Sequence, residues 1–219
     1  MDKYIEAISN TALFADIQKA DLEPMLQCLS YSVQTFNKGD FIILEDETVR
    51  NIGIILEGSV DMIKEDFWGN KTTLVRMKSG ELFGETFTCS KNSTSTVSFC
   101  AVSKTTVLFL PFNRVMHLCS MTCFFHHRLI ENMVFLIAEK NKELMLKVEI
   151  ISKKTLREKI MAYLSVHANE QGTPYFEIPL GRVELADYLC ADRSALTREL
   201  SNMQDDGIID FDKNVFRLL

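Results

Sequence analysis

Apolar positions recur along this chain in three rhythms. Residues 1–30 place them at helical spacing, as in "ALFADIQKADLEPMLQCL", with Pro24 expected near a helix start. From Tyr31 the spacing shortens toward two. "FIILEDE", "NIGIILEGSVDMIKED", "NKTTLVRM" and "VSFCAVSKTTVLFLPF" read as strands, divided by turn residues at Asn37-Lys38-Gly39-Asp40, Glu57-Gly58 and Gly69-Asn70. Strands expose alternate side chains on opposite faces, so short runs at near-regular intervals predict an antiparallel sandwich or barrel over about residues 31–112.

The third rhythm begins near Met121, where Gly and Pro disappear until past Ile151. Ile130, Val134, Ile137, Asn141, Leu144, Val148 and Ile151 alternate steps of four and three, which is a heptad seam. Val134, Asn141 and Val148 occupy the a positions, and the others occupy d. β-Branched residues at a, with one Asn, favour a parallel two-stranded coiled coil whose register the Asn fixes. A single helix packed on its own domain also needs an apolar stripe, and that alternative stays open.

The remaining chain changes element quickly. "SKKTLREKIMAYLSVHANEQG" reads as a helix ending at Gly172, and "TPYFEIPL" as a strand. "LADYLCADRSALTRELSNMQDDGII" then divides into two short helices around a tight turn. Val183, Leu185, Ala186 and Leu189 are expected to form the buried side of the first. Asp192 suits the N-cap of the second, because its carboxylate can accept from free amides. Leu196, Leu200 and Met203 recur at helical spacing and should face inward. Arg193, Ser194, Thr197 and Arg198 then share the outer side, near the N-terminal end from which a recognition helix reads base edges. The same face would also suit a solvated helix of a plain helical domain. "GIIDFDKNVFRLL" reads as two strands around Asp212-Lys213-Asn214, a wing.

Charge complicates a DNA-reading surface. The net charge is −6 and the pI about 5.3. From residue 150 onward nine Lys and Arg face eleven Asp and Glu. The acids gather at Asp205, Asp206, Asp210 and Asp212, whereas the bases sit at the start of the second helix and at Lys153, Lys154 and Lys213. Binding depends on where charge sits, so a local reading surface survives an acidic total. The turn at Asp205 and Asp206 is expected only to repel the DNA backbone. Few phosphate contacts per subunit imply that dimerisation supplies a second half-site. The start "MDKYIEAISN" lacks the order of a signal peptide, and no run approaches the ~18 apolar residues of a span. A cytoplasmic protein with no membrane partner is expected, its six cysteines reduced.

A further motif lies in "KSGELFGETFTCSKNSTSTVSF". Gly80 and Gly84 bracket Glu81 and precede Glu85, and a Ser/Thr-rich run follows. A glycine-opened helix start can hold an anion; a β-turn with a short covering helix fits the same residues.

Taken together, "GELFGE", "LREKIMAYL" and "RVELADYLCADRSALTRELSNMQDDGII" make the chain resemble Crp/Fnr-family bacterial transcription regulators over nearly its whole length. The resemblance implies an α+β fold. An antiparallel β-roll of the cyclic-nucleotide-binding type (a double-stranded β-helix) leads to a long dimerisation helix and a C-terminal winged helix-turn-helix. The expected divisions are an effector-sensing domain over 1–120, a dimer helix and hinge over 121–151, and a DNA-binding domain over 152–219. It implies a homodimer on a palindromic double-stranded operator, with RNA polymerase as partner of an activator. The family's DNA-contacting positions fall on Arg193, Ser194 and Arg198, to which Thr197 and the wing's Lys213 are added. The seam residues Ile130, Val134, Ile137, Asn141, Leu144 and Val148 would form the dimer interface.

The effector site implied by the resemblance comprises Phe83, Gly84, Glu85, Ser95, Thr96 and Asn141. In cyclic-nucleotide-binding relatives the Glu holds a ribose hydroxyl, and an Arg-Ser pair neutralises the phosphate. That pair falls near Ser95 and Thr96, and no Arg lies between Arg76 and Arg114. A buried phosphate without a cation is costly. The expected effector is therefore an unidentified small molecule other than cyclic AMP, with no certain cofactor, no metal and no catalytic residues. Thiol or metal sensing could use Cys119, Cys123, His126 and His127. A cupin-type metalloenzyme would need histidines on the strands, but the four histidines follow the β-region. A nucleotide-regulated signalling subunit would have no use for the helix-turn-helix.

Overall fold

The computed structural model describes residues 2–116 and 124–219. It divides into two compact units, residues 1–138 and 139–219.

In the N-terminal unit α1 (Asp2–Ser9) and α2 (Lys19–Leu29) precede eight strands: β1 (Ser32–Phe36), β2 (Phe41–Ile43), β3 (Asn51–Glu57), β4 (Ser59–Glu65), β5 (Lys71–Lys78), β6 (Leu82–Phe83), β7 (Ser98–Ala101) and β8 (Thr105–Pro111). A short helix α3 (Glu85–Thr88) follows β6, and α4 (Phe112–Met116) follows β8. The strands form two antiparallel four-stranded sheets, ordered β1-β8-β3-β6 and β2-β7-β4-β5. Pro24 sits within α2 rather than at its start, a correction to the sequence expectation.

Alternation along the strands separates two cores. On β8, Val107 and Phe109 join Ile43, Ile55, Phe83 and Phe99 in the cluster of the roll. Leu108 and Leu110 join Ile52, Ile54, Leu22 and Leu26 beneath the helices. β8 and the middle of β3 are thus buried on both faces, which explains their nearly continuous apolar runs. Gly53 is required by packing: a Cβ there would stand 2.4 Å from the Phe83 ring.

α5 runs from Phe124 to Ile151. Leu129 and Met133 belong to the core under α1 and α2, and Asn132 donates to the carbonyls of Leu13 (3.0 Å) and Ala15 (2.9 Å).

In the C-terminal unit α6 (Leu156–Gln171), β9 (Tyr175–Glu177), α7 (Arg182–Tyr188), α8 (Arg193–Asp205), β10 (Ile209–Asp212) and β11 (Val215–Leu218) surround one core. A Thr155–Glu158 capping box starts α6; the helix ends at Gly172, where the sequence places its end, with the glycine in the left-handed conformation. The sheet order β10-β11-β9 makes the wing a hairpin extended by a third strand. No described helix is long and apolar enough to cross a membrane.

Candidate nucleic-acid interface and effector cassette

Asp192 opens α8 as expected. Its carboxylate accepts from the backbone N–H groups of Ser194 (2.8 Å) and Ala195 (3.0 Å), and from the Ser194 hydroxyl. These bonds, led by that from the Ser194 side chain, hold its pKa below the ordinary carboxylate value. Leu196, Leu200 and Met203 are fully buried, packed with Leu185, Ala186 and Leu189. Arg193, Ser194, Thr197 and Arg198 are all exposed on the other side. The Thr197 hydroxyl donates to the Arg193 carbonyl at 2.9 Å, and Arg198 Nε to the Ser194 carbonyl at 3.4 Å. Both hydroxyl protons are thus spent within the helix, and Ser194 and Thr197 face solvent with acceptor lone pairs.

Val183 was expected on the buried side of α7, but it is 52% exposed. It lies two residues before Leu185, which turns it about 200° from the packed stripe. Asp206 also departs from expectation. Arg157 on α6 reaches both Glu199 (2.5 Å) and Asp206 (2.7 Å), so Asp206 takes part in an ion pair between helices and does more than repel a DNA backbone.

Lys213 is exposed at the wing's turn with φ +51°, a left-handed conformation. Its carbonyl accepts from Arg182 Nη2 at 2.7 Å. The Arg182 guanidinium lies 4.9 Å from the Phe211 ring centre and 5.2 Å from that of Phe216, across the paired strands. Burial lowers its pKa. Arg182 therefore joins the first residue of α7 to the wing. Sequence reasoning passed over it, because its partners stand about thirty positions later in the chain.

The effector cassette is more closed. Phe83 is a core residue whose ring packs against Phe99 at 5.1 Å and Phe109 at 6.3 Å. Gly84 adopts φ +82°, and a Cβ there would press the Asn51 carbonyl at 3.2 Å and Val49 at 3.3 Å. Glu85 begins α3 and is buried. Ser95 is fully buried, its hydroxyl donating to the Val97 carbonyl at 2.6 Å. Thr96 is exposed, and its carbonyl accepts from the Lys64 ammonium at 2.9 Å; Lys64 also pairs with Glu45.

Along α5 the seam residues Val134, Leu144 and Val148 are 56–60% exposed, and Ile137 is exposed beside them. Ile130 is half-buried. Phe135 and Met145, outside the heptad positions, are exposed as well. Asn141 is exposed in the C-terminal unit, with its amide 4.0 Å from the Met145 sulfur, a weak acceptor. Cys119 and Cys123 lie outside the described residues; burial lowers the pKa of His126, with a smaller contribution from His127. Among the described residues, no three His, Cys, Asp or Glu side chains cluster as metal ligands would.

The family model for the cyclic nucleotide-binding domain matches residues 33–121, and that for the Crp-like helix-turn-helix domain matches residues 158–219. Their order and joint extent decide the family. The chain belongs to the Crp/Fnr family of transcription regulators. As a Crp/Fnr regulator it is a DNA-binding protein that carries a cyclic-nucleotide-binding domain.

Solved structures share this fold. The catabolite activator protein of Thermus thermophilus is 20% identical, with 95% of this chain and 94% of that chain covered and a TM-score of 0.56. The c-di-GMP responsive global regulator CLP of Xanthomonas campestris is 16% identical over 90% of this chain and 98% of that one, at a TM-score of 0.58. A cyclic nucleotide-binding domain from Methylobacillus flagellatus is 16% identical over 71% and 88%, at 0.60. No curated protein sequence matches the chain.

Proposed function

We propose that this Crp/Fnr regulator acts in the cytoplasm as a homodimer on a palindromic operator, under control of a small molecule other than cyclic AMP held by its β-roll. The exposed polar face of α8, opposite its fully buried apolar face, carries this reading. Arg193 and Arg198 supply donors suited to guanine O6 and N7. Ser194 and Thr197 act as acceptors, because their protons are committed inside the helix. They suit the amino groups of cytosine or adenine. Lys213 takes a phosphate from the wing. The exposed apolar stripe on α5 supports the dimer, and two-fold symmetry then sets two half-sites about one helical turn apart. An activator of this architecture would recruit RNA polymerase. The working divisions are an effector domain over 1–120, a dimer helix over 121–151 and a DNA-binding domain over 152–219.

Cyclic AMP is disfavoured because Ser95 brings no positive charge to the cassette and has already donated its proton to Val97. Selection of binding sites from randomised DNA, followed by gel-shift titration, tests the reading. The parent chain should enrich a palindrome. Arg193→Ala and Arg198→Ala should each weaken it by about 1–3 kcal/mol. Both variants binding like the parent would remove α8 from the interface.

A further inference from the structure

Arg50 stands at the junction of two clefts in the N-terminal unit. The larger is an open cleft of about 390 Å³ that brings Val49, Arg50, Thr88, Ser93, Pro111 and Phe112 to its walls, with no carboxylate among its described lining residues. The smaller, about 210 Å³, shares Val49, Arg50 and Asn51. It contains Glu47, whose carboxylate accepts from the Leu44 N–H at 2.9 Å and would repel an anion, which leaves the larger cleft as the candidate. The exposed Arg50 guanidinium makes no hydrogen bond or ion pair with the described residues.

The chain brings this cation beside the cassette through backbone pairing. Val49 N–H donates to the Ser93 carbonyl at 2.8 Å, Ser95 N–H to the Glu47 carbonyl at 2.9 Å, and Asp46 N–H to the Ser95 carbonyl at 2.8 Å. Thr48 and Thr94 form a β-bridge between these bonds. Segment 46–50 therefore lies along segment 93–95, and a different stretch of chain carries the exposed Arg50 at its end. The same segment packs on Gly84, through Val49 and the Asn51 carbonyl.

We propose that the larger cleft is an anion site. Arg50 is its anchor, and its ligand is a small phosphate or carboxylate on a compact apolar body. The guanidinium offers paired donors to either anion, and the Ser93 hydroxyl adds a further one. Val49, Pro111 and Phe112 provide an apolar wall, and the volume suits a small molecule rather than a polymer. An occupant would bear on the segment packed against Gly84, so the site deepens the proposed effector control and rests on that reading for its regulatory meaning.

Calorimetry on the full chain tests it, with phenyl phosphate, benzoate and inorganic phosphate as probes and benzyl alcohol as the neutral control. At least one anionic probe should bind, whereas benzyl alcohol should not. The ranking of phenyl phosphate against benzoate tells a phosphate ligand from a carboxylate one. Arg50→Gln should weaken binding about tenfold or more, and Arg50→Lys by less, because a lysine keeps the charge and loses the fork. Since the Arg50 guanidinium bonds to none of the described residues, both variants should melt like the parent without probe. Glu85→Gln should leave binding intact. Equal binding by Arg50→Gln, or no heat from any anion, overturns the site. Binding that survives Arg50→Gln but is lost in Glu85→Gln moves the ligand into the cassette, which sinks this inference and leaves the proposed function standing. Operator binding by probe-free Arg50→Gln, unchanged from the parent, separates a failure here from a failure of the DNA-binding reading.

Discussion

The proposed recognition helix and the proposed effector cassette carry their chemistry in opposite ways. α8 displays Arg193, Ser194, Thr197 and Arg198 to solvent and binds only their spare protons within itself. In the cassette Phe83, Glu85 and Ser95 are buried. A surface that reads an extended polymer must be laid out on one open face. A helix builds that face from local sequence alone, because its side chains return every 3.6 residues. A small-molecule site must be enclosed, and enclosure needs segments far apart in the chain. At the proposed site, pairing of residues 46–49 with 93–95 brings such segments together, and Arg50 lines the cleft beside them.

The largest break in this comparison should come from α5, the helix proposed to pair two copies and so double the reading surface. Ile137→Lys combined with Leu144→Lys should place like charges in the seam. Light scattering should then report monomers, and affinity for a full palindrome should fall about 100-fold or more as the second half-site is lost. A dimer that persists would place the interface on another face. Next comes the apolar side of α8. Leu200→Ala removes a fully buried side chain, and urea unfolding of the C-terminal unit should register a loss of about 2–5 kcal/mol. A change below about 0.5 kcal/mol would show that this face is not packed as described.

A smaller effect is expected at Arg182. Arg182→Ala should cost about 1–2 kcal/mol and shift the NMR resonances of the Phe211 and Phe216 rings, because it removes a stacked cation and a bond to the wing's turn. Undisturbed ring signals would dissociate Arg182 from the wing. The smallest effect concerns acid. The folded pKa of Asp192 lies below its ordinary value of 3.8, so its capping contribution is complete above that value. It should disappear as pH falls through the lower, folded value. Comparison of acid unfolding between the parent and Asp192→Asn should isolate this difference, and identical profiles would show that the charge on the cap is immaterial.

What was legible in the sequence follows the same division. The long helix, the inward positions of α8, the Asp192 cap and the strand-rich region all rest on periodicity or on neighbours within four residues. Local signals failed where the deciding partner was remote. Val183 was assigned to the wrong side because two residues of a short helix shift a side chain by more than half a turn. Asp206 was read as a bare charge because Arg157 stands 49 positions earlier. Arg50 carried no motif, and Arg182 opened "RVELADYL" without a role that its neighbours could assign; only strand register and the wing's return place them. Phe83 was legible as part of "GELFGE", but its burial depends on Gly53, thirty residues before it.

Parallel binding measurements on Arg193→Ala and Lys213→Ala test most directly whether α8 reads DNA. Affinities should be taken for the selected palindrome and for its single-base variants, at two salt concentrations. Arg193→Ala should lose about 1–3 kcal/mol and its preference at one position in each half-site. Lys213→Ala should weaken every sequence alike and lower the salt slope by about one per contact. If Arg193→Ala retains the parent's preference at every position, or weakens all sequences uniformly, then α8 does not read the bases and the central claim is contradicted.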